Sequence, residues 1–167
     1  MNLYSKDMKV IDNFLPQFKP LKTLLMGNTF PWYYNESILP PDHAEYKPLP
    51  QFTHWFLYEN GEPGPYFHYM MDAIDLLGDM LPLRIKANLT MTNGDGGYHI
   101  DCEGATTAIL YMNTCNGYTK FKDGSIVESV ENRMVIFDSN LKHQTVTCTD
   151  EKIRIVINFN YSTLFLK

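Results

Sequence analysis

From residue 83 onward the chain changes period. Five runs alternate apolar and polar residues: "LRIKANLTM" (83–91), "TTAILYMN" (106–113), "SIVESV" (125–130), "RMVIFD" (133–138) and "KIRIVINFNY" (152–161). A period of two sends successive side chains to opposite faces of an extended strand, a pattern no helix satisfies. Turn-forming "NGDGG" (93–97) and "KDGS" (122–125) punctuate the runs. The back half is therefore predicted to be short strands joined by tight connections.

The front half reads differently. "VIDNFLPQFKPLKTLLMGN" (10–28) predicts a short strand and then a helix, with Asp12 or Asn13 as cap, Pro16 in the first turn and Gly27 at the end. The prolines of "FPWYYNESILPPDHAEYKPLPQ" (30–51) forbid a long regular element, so a loop that packs its aromatics is expected. Packing is favoured for Phe30, Trp32, Tyr33 and Tyr34 over a substrate lid. "FTHWFLYENGEPGP" (52–65) predicts a strand and a turn. Phe67, Met70, Met71, Ile74, Leu77 and Leu81 recur at helical spacing, and Pro82 closes that segment. Helices followed by strands argue for an α+β fold built on a β-sandwich or jelly roll. At 167 residues the expectation is one domain, with a helical and loop front (1–82) and a strand core (83–161).

Charge narrows the function classes. The net charge is -5 and no basic stripe is present, which argues against nucleic acid or an anionic membrane as partner. No run approaches the roughly 20 apolar residues of a membrane span. "MNLYSKDMKVIDNF" lacks the apolar core of a signal peptide. Cys102, Cys115 and Cys148 are odd in number and scattered, which fits neither a disulfide framework nor a zinc knuckle. A reducing cytoplasm is the expected home.

Chemistry concentrates in the strand half. In "YHIDCEG" (98–104) His99 and Asp101 lie two apart, on one face if the segment is extended. His143, just past "RMVIFD", offers a third ligand. Two histidines and a carboxylate form the facial set that suits non-haem Fe(II) and leaves positions open. On the last run Ile153, Ile155, Ile157 and Phe159 share one face. Arg154, Val156, Asn158 and Asn160 share the other. A guanidinium among β-branched residues demands an anion, and a dicarboxylate co-substrate would supply one with bidentate geometry. Two other readings stay open here. One is a cupin-type zinc hydrolase or isomerase using the same three ligands. The other is a noncatalytic jelly-roll binding module.

His99-Ile100-Asp101, His143 and Arg154 together resemble the HxD…H…R pattern of the 2-oxoglutarate/Fe(II) dioxygenases, over residues 83 to 161. "ILYMNTCNGYTKF" (109–121) resembles the strand, turn and GGxTxF stretch of prolyl-4-hydroxylase-like members. "VIDNFLPQF", "FPWYY", "RIKANL" and "INFNY" are similar to small phage-encoded enzymes of this group. The resemblance implies a double-stranded β-helix (jelly roll, cupin-like) with the N-terminal helices packed on one sheet. It implies Fe(II) on His99, Asp101 and His143, Arg154 on the distal carboxylate of 2-oxoglutarate, and O2 as oxidant, with ascorbate as a stimulant. Hydroxylation of a peptide or small-molecule substrate, coupled to decarboxylation of 2-oxoglutarate to succinate, follows. Asp101 favours hydroxylation over halogenation, whose enzymes lack that carboxylate. The same resemblance suggests co-substrate contacts from Asn88, Tyr111, Thr119 and Asn160. Three positions depart from the pattern: Asn116 replaces the first glycine of GGxTxF, arginine stands where many prolyl hydroxylases have lysine, and Val156 replaces Ser or Thr.

Overall fold

The computed structural model describes residues 8–91 and 93–163, so the first seven residues of the N-terminal segment lie outside it. The strand β1 (Met8–Ile11) leads to α1 (Phe18–Leu25), which buries Phe18, Leu21 and Leu25 on one stripe. The proline-rich loop holds only a short strand, β2 (Tyr33–Asn35), before β3 (Gln51–Leu57). A 3-10 turn (Phe67–Met70) runs into α2 (Met71–Leu77). Seven strands follow: β4 (Met80–Thr90), β5 (Thr106–Tyr111), β6 (Tyr118–Phe121), β7 (Ile126–Glu128), β8 (Met134–Asp138), β9 (His143–Val146) and β10 (Arg154–Thr163).

Two sheets form. One has the order β1-β8-β5-β10-β4-β3-β2, and the other β7-β6-β9. All pairings within them are antiparallel. The arrangement is the jelly roll, or double-stranded β-helix, expected from the alternating runs. Each run divides its side chains between two cores. Ala108, Leu110, Ile155, Ile157 and Phe159 join Phe18, Leu21, Leu25, Met70 and Ala73 beneath the helices. Ile109, Tyr111, Val135, Phe137 and Val156 face Phe121 and Val127 of the small sheet. A one-residue slip of β10 would drive Arg154 into the helix-side core and Ile155, Ile157 and Phe159 out of it. Each of those three apolar side chains contributes about 1.5–3 kcal/mol by burial, so the register is strongly set.

The structure departs from expectation in three places. Asp12 does not cap α1, because its carboxylate accepts from Arg133 Nε at 2.6 Å. Asn13 adopts a left-handed φ of 53°, and the helix begins after Gln17 with no side-chain cap. The second helix is also shorter than its stripe. It stops at Gly78, and Met80, Leu81 and Pro82 pair with Thr163, Ser162 and Tyr161 as the start of β4. Met71 and Leu81 of that stripe are exposed, and Pro82 sits beside a register shift at Asn160/Tyr161 rather than ending a helix. Finally, His99 and Asp101 are not on a strand. The only pairing there is an isolated bridge between His99 and His143.

No helix among the described residues is long and apolar enough to cross a membrane.

Candidate active site

Between β4 and β5 the chain runs outside the named strands over residues 93–105, and this stretch carries His99 and Asp101. It is tied down on both sides. Gly94 N donates to Thr147 Oγ1 at 2.8 Å and Gly96 N to the Thr145 carbonyl at 3.0 Å. From the front loop, Lys47 pairs with Asp95. Gly97 (φ 76°) sits so close to the Glu45 carbonyl that a Cβ there would lie 2.1 Å from its oxygen. The glycine-rich stretch is thus a fastened seat for the following histidine.

His99 and His143 exchange backbone hydrogen bonds, each 3.0 Å long, which bring their rings to a centroid distance of 4.8 Å. Asp101 completes the group. Its Oδ1 lies 3.8 Å from His99 Nε2 and its Oδ2 3.7 Å from His143 Nε2. The three ligand atoms all fall within 4.8 Å of one another. Each imidazole is oriented from behind: Nδ1 of His99 lies 3.1 Å from the Gly97 carbonyl, and Nδ1 of His143 lies 2.9 Å from the Leu141 carbonyl. A carbonyl only accepts, so Nδ1 carries the hydrogen and Nε2 presents its lone pair toward Asp101.

Electrostatics favours the ligating forms. Burial, then the charge of His143, pushes His99 down to about 4, which keeps its ring neutral near pH 7. Burial alone would raise Asp101, but His143, His99, Arg84 and the Asn160 amide together hold its carboxyl below the ordinary range. Two Nε2 atoms and one carboxylate on a single cavity wall fit a divalent first-row ion with coordination positions left open.

Behind Asp101 lies a network that sequence reasoning missed. Thr107 Oγ1 donates to Asp101 Oδ2 at 2.9 Å and Asn160 Nδ2 to the same oxygen at 3.1 Å. Arg84 reaches Oδ1 at 3.4 Å and also donates through Nε to Asn160 Oδ1 at 2.6 Å. Ser139 shares a hydrogen bond with Thr107. Arg84 faced the right way in the strand pattern. Its link to Asp101 spans 17 residues and leaves no local signal.

Arg154 enters the same cavity, whose volume is about 210 Å³. The residue is only 2% exposed. Its guanidinium donates to three hydroxyls: Nε to Ser129 (2.8 Å), Nη1 to Thr145 (2.6 Å) and Nη2 to Thr119 (3.3 Å). The Tyr111 ring lies 5.5 Å away, centroid to Cζ, in cation–π range. Among the described residues no carboxylate pairs with it. Burial accordingly lowers its pKa from the ordinary value. Gly117 makes room for it, since a Cβ there would sit 2.7 Å from Arg154 Cδ.

The remaining sequence candidates separate into two groups. Asn88 and Thr119 line the cavity. Tyr111 and Asn160 stand behind its wall, both fully buried. The Tyr111 hydroxyl donates to Thr119 Oγ1 at 2.8 Å, and Asn160 turns to Asp101 rather than toward Arg154. The aromatic loop packs as expected at Phe30 and Trp32, while Tyr33 and Tyr34 are exposed and outside the cavity. Its apolar contribution comes instead from Ile38 and Leu39. His54 has a structural role, its two ring nitrogens within 3.0 Å of the Pro31 and Pro65 carbonyls.

No protein-family model matches the chain, and no curated protein matches it. Solved structures do. The chain is similar to a 2OG-Fe(II) oxygenase family oxidoreductase from Burkholderia pseudomallei, at a TM-score of 0.68 and 8% identity over 93% of this chain and 85% of that one. The chain has the fold of the 2OG-Fe(II) oxygenases. A Trichoplax adhaerens prolyl hydroxylase, in complex with a hypoxia inducible factor peptide fragment, matches at 0.64 and 15% identity, over 95% of this chain and 84% of that one. The viral collagen prolyl hydroxylase of Paramecium Bursaria Chlorella virus-1, a 2OG complex, matches at 0.61 and 12%, over 95% and 98%. At these identities the likeness is one of fold alone.

Proposed function

We propose that the chain is a single-domain, non-haem Fe(II)- and 2-oxoglutarate-dependent hydroxylase. One observation carries the reading: a His99–Asp101–His143 ligand set and a buried Arg154, which pairs with no carboxylate among the described residues, line one cavity. His99 and His143 would hold Fe(II) through Nε2 and Asp101 through a carboxylate oxygen. When bound, the iron with 2-oxoglutarate and O2 supplies the oxidising power for C–H hydroxylation, with release of succinate and CO2.

The protein's own residues do the rest. Gly97 and Leu141 carbonyls fix the imidazole tautomers, while Thr107, Asn160 and Arg84 fix the carboxylate. Arg154 supplies a fixed positive charge for the distal carboxylate of the co-substrate. The Thr119 hydroxyl oxygen accepts from both that guanidinium and the Tyr111 hydroxyl. Asn88 lies on the wall between, within reach of a bound diacid. Ile38 and Leu39 exclude water from the reacting centre. A zinc hydrolase would need the triad but leaves Arg154 without a role, which weighs against that reading. The three free thiols fit a reducing compartment such as the cytoplasm.

The test is direct. Purified protein incubated with Fe(II), ascorbate and 2-oxoglutarate under air should form succinate, even slowly and without a substrate. Absence of succinate at saturating iron and 2-oxoglutarate would remove the proposal.

A further inference from the structure

The wall that β4 and β10 present to the cavity extends well beyond Arg154. Thr90, Asn88, Lys86 and Arg84 follow one another along β4, facing Arg154, Val156, Asn158 and Asn160 of β10 in the same order. Arg154 holds one end. At the other, Arg84 is fully engaged with Glu59, Asn160 and Asp101. Lys86 and Asn158 face each other between these ends, and both line the cavity.

Among the described residues neither side chain has a hydrogen-bond or ion-pair partner. Among the described residues no carboxylate lies within ion-pair distance of the Lys86 ammonium. Its neighbour is the Trp55 ring, 5.0 Å from Nζ to centroid. Asn158 Oδ1 is buried and accepts no hydrogen bond. Burial, and then the charge of Arg84, pushes the Lys86 ammonium down from its ordinary value. Buried polar groups are almost always satisfied in folded proteins. A cation and an acceptor left open side by side on a cavity wall are therefore the imprint of a ligand.

That ligand is not the co-substrate. Four strand residues, roughly 13 Å of β-strand, separate the Lys86–Asn158 pair from the Thr90–Arg154 pair. We infer that the primary substrate, on the oxygenase reading just given, is a small carboxylate bearing an amine or hydroxyl, its anion seated on Lys86 and its donor on Asn158 Oδ1. A cavity of about 210 Å³ suits a small molecule. A prolyl residue within a peptide has neither an anionic group nor an N–H on its own nitrogen, so it leaves both groups unmatched.

The experiment has a binding arm and a turnover arm. Metal-free protein is titrated with the common α-amino and α-hydroxy acids, each beside its own primary amide, and tryptophan fluorescence is followed because Trp55 abuts Lys86. At least one acid should quench or shift the emission where its amide does not. Lys86→Met should weaken that acid about a hundredfold, the usual scale for truncating one partner of a desolvated charge pair. Asn158→Asp, which places a carboxylate beside Lys86 and neutralises it internally, should do the same. Both variants should melt close to the parent, since neither breaks a side-chain hydrogen bond or ion pair and Lys86→Met gives up only the contact with the Trp55 ring. The same acid, and not its amide, should then accelerate succinate formation with iron and 2-oxoglutarate.

Equal response to acid and amide, or unchanged binding in Lys86→Met, would overturn the assignment. So would acceleration by internal-proline peptides alone. No succinate under any condition would instead overturn the oxygenase reading, and the substrate role with it.

Discussion

Replacing Arg154 by glutamine should separate two quantities that mutations usually lower together. Among the described residues the guanidinium is desolvated, donates to the hydroxyls of Ser129, Thr145 and Thr119, and lies over the Tyr111 ring. Three hydrogen bonds from a charged donor contribute about 1.5–3 kcal/mol each. Burying the charge costs several kcal/mol. The two terms are of similar size and largely offset, so the variant's stability without ligand should change much less than its co-substrate affinity. Co-substrate binding behaves otherwise. Losing one partner of a buried charge pair costs about 2–5 kcal/mol, or roughly thirtyfold to several thousandfold in affinity. Ligand at a hundred times its dissociation constant stabilises a protein by about 2.7 kcal/mol, and the variant should lose that increment. Anaerobic calorimetry of 2-oxoglutarate into the metal-loaded protein, beside melting curves with and without ligand, reads both quantities. Near-normal affinity, or a ligand-free protein destabilised by more than about 3 kcal/mol, would refute the view of Arg154 as a charge awaiting its anion.

Further expectations concern the supporting residues. Asn160→Leu removes one donor from Asp101 Oδ2 and should weaken Mn(II) affinity about 10- to 100-fold with the fold retained; equal affinity by competition titration would count against the network. Gly117→Ala should raise the dissociation constant for 2-oxoglutarate more than it lowers stability, because its methyl meets Arg154 Cδ at 2.7 Å; calorimetry and urea unfolding on the same sample decide it. Asn132 holds a left-handed φ of 59° and hydrogen-bonds both the N–H and the carbonyl of Leu15, at 2.9 and 3.0 Å. Asn132→Ala should therefore cost about 2–3 kcal/mol in urea unfolding, and Asn132→Gly somewhat less because it keeps the backbone conformation.

Features written in a single strand's pattern were legible from the sequence. The alternation of 152–161 placed Ile155, Ile157 and Phe159 on one core and Arg154 on the cavity, and the sheet keeps that division. His99, Asp101 and His143 do meet, though not through a shared strand: the glycines of 94–97 put the segment in a loop, and the bridge to His143 aligns it. What depended on distant pairing stayed hidden. Asp12 was a plausible cap until Arg133 took its carboxylate. The helical stripe ran on to Leu81 because apolar spacing says nothing of Met80–Pro82 pairing with β10. Strands β6 and β9 were too short to alternate visibly. Lys86 and Asn158 are 72 positions apart, and only the β4–β10 register sets them face to face. Asn160, on the arginine-bearing face as expected, serves Asp101 because its place in β10 is opposite Arg84.

On the proposed reading His99, Asp101 and His143 would hold one ion and Arg154 the far carboxylate of a keto acid bound to it. Visible absorption during anaerobic addition of 2-oxoglutarate to the Fe(II) protein tests it most directly. A metal-to-ligand charge-transfer band should grow in, vanish in His143→Ala, and demand far more 2-oxoglutarate in Arg154→Gln. No band in the parent protein at saturation, or an undiminished one in His143→Ala, would contradict the account.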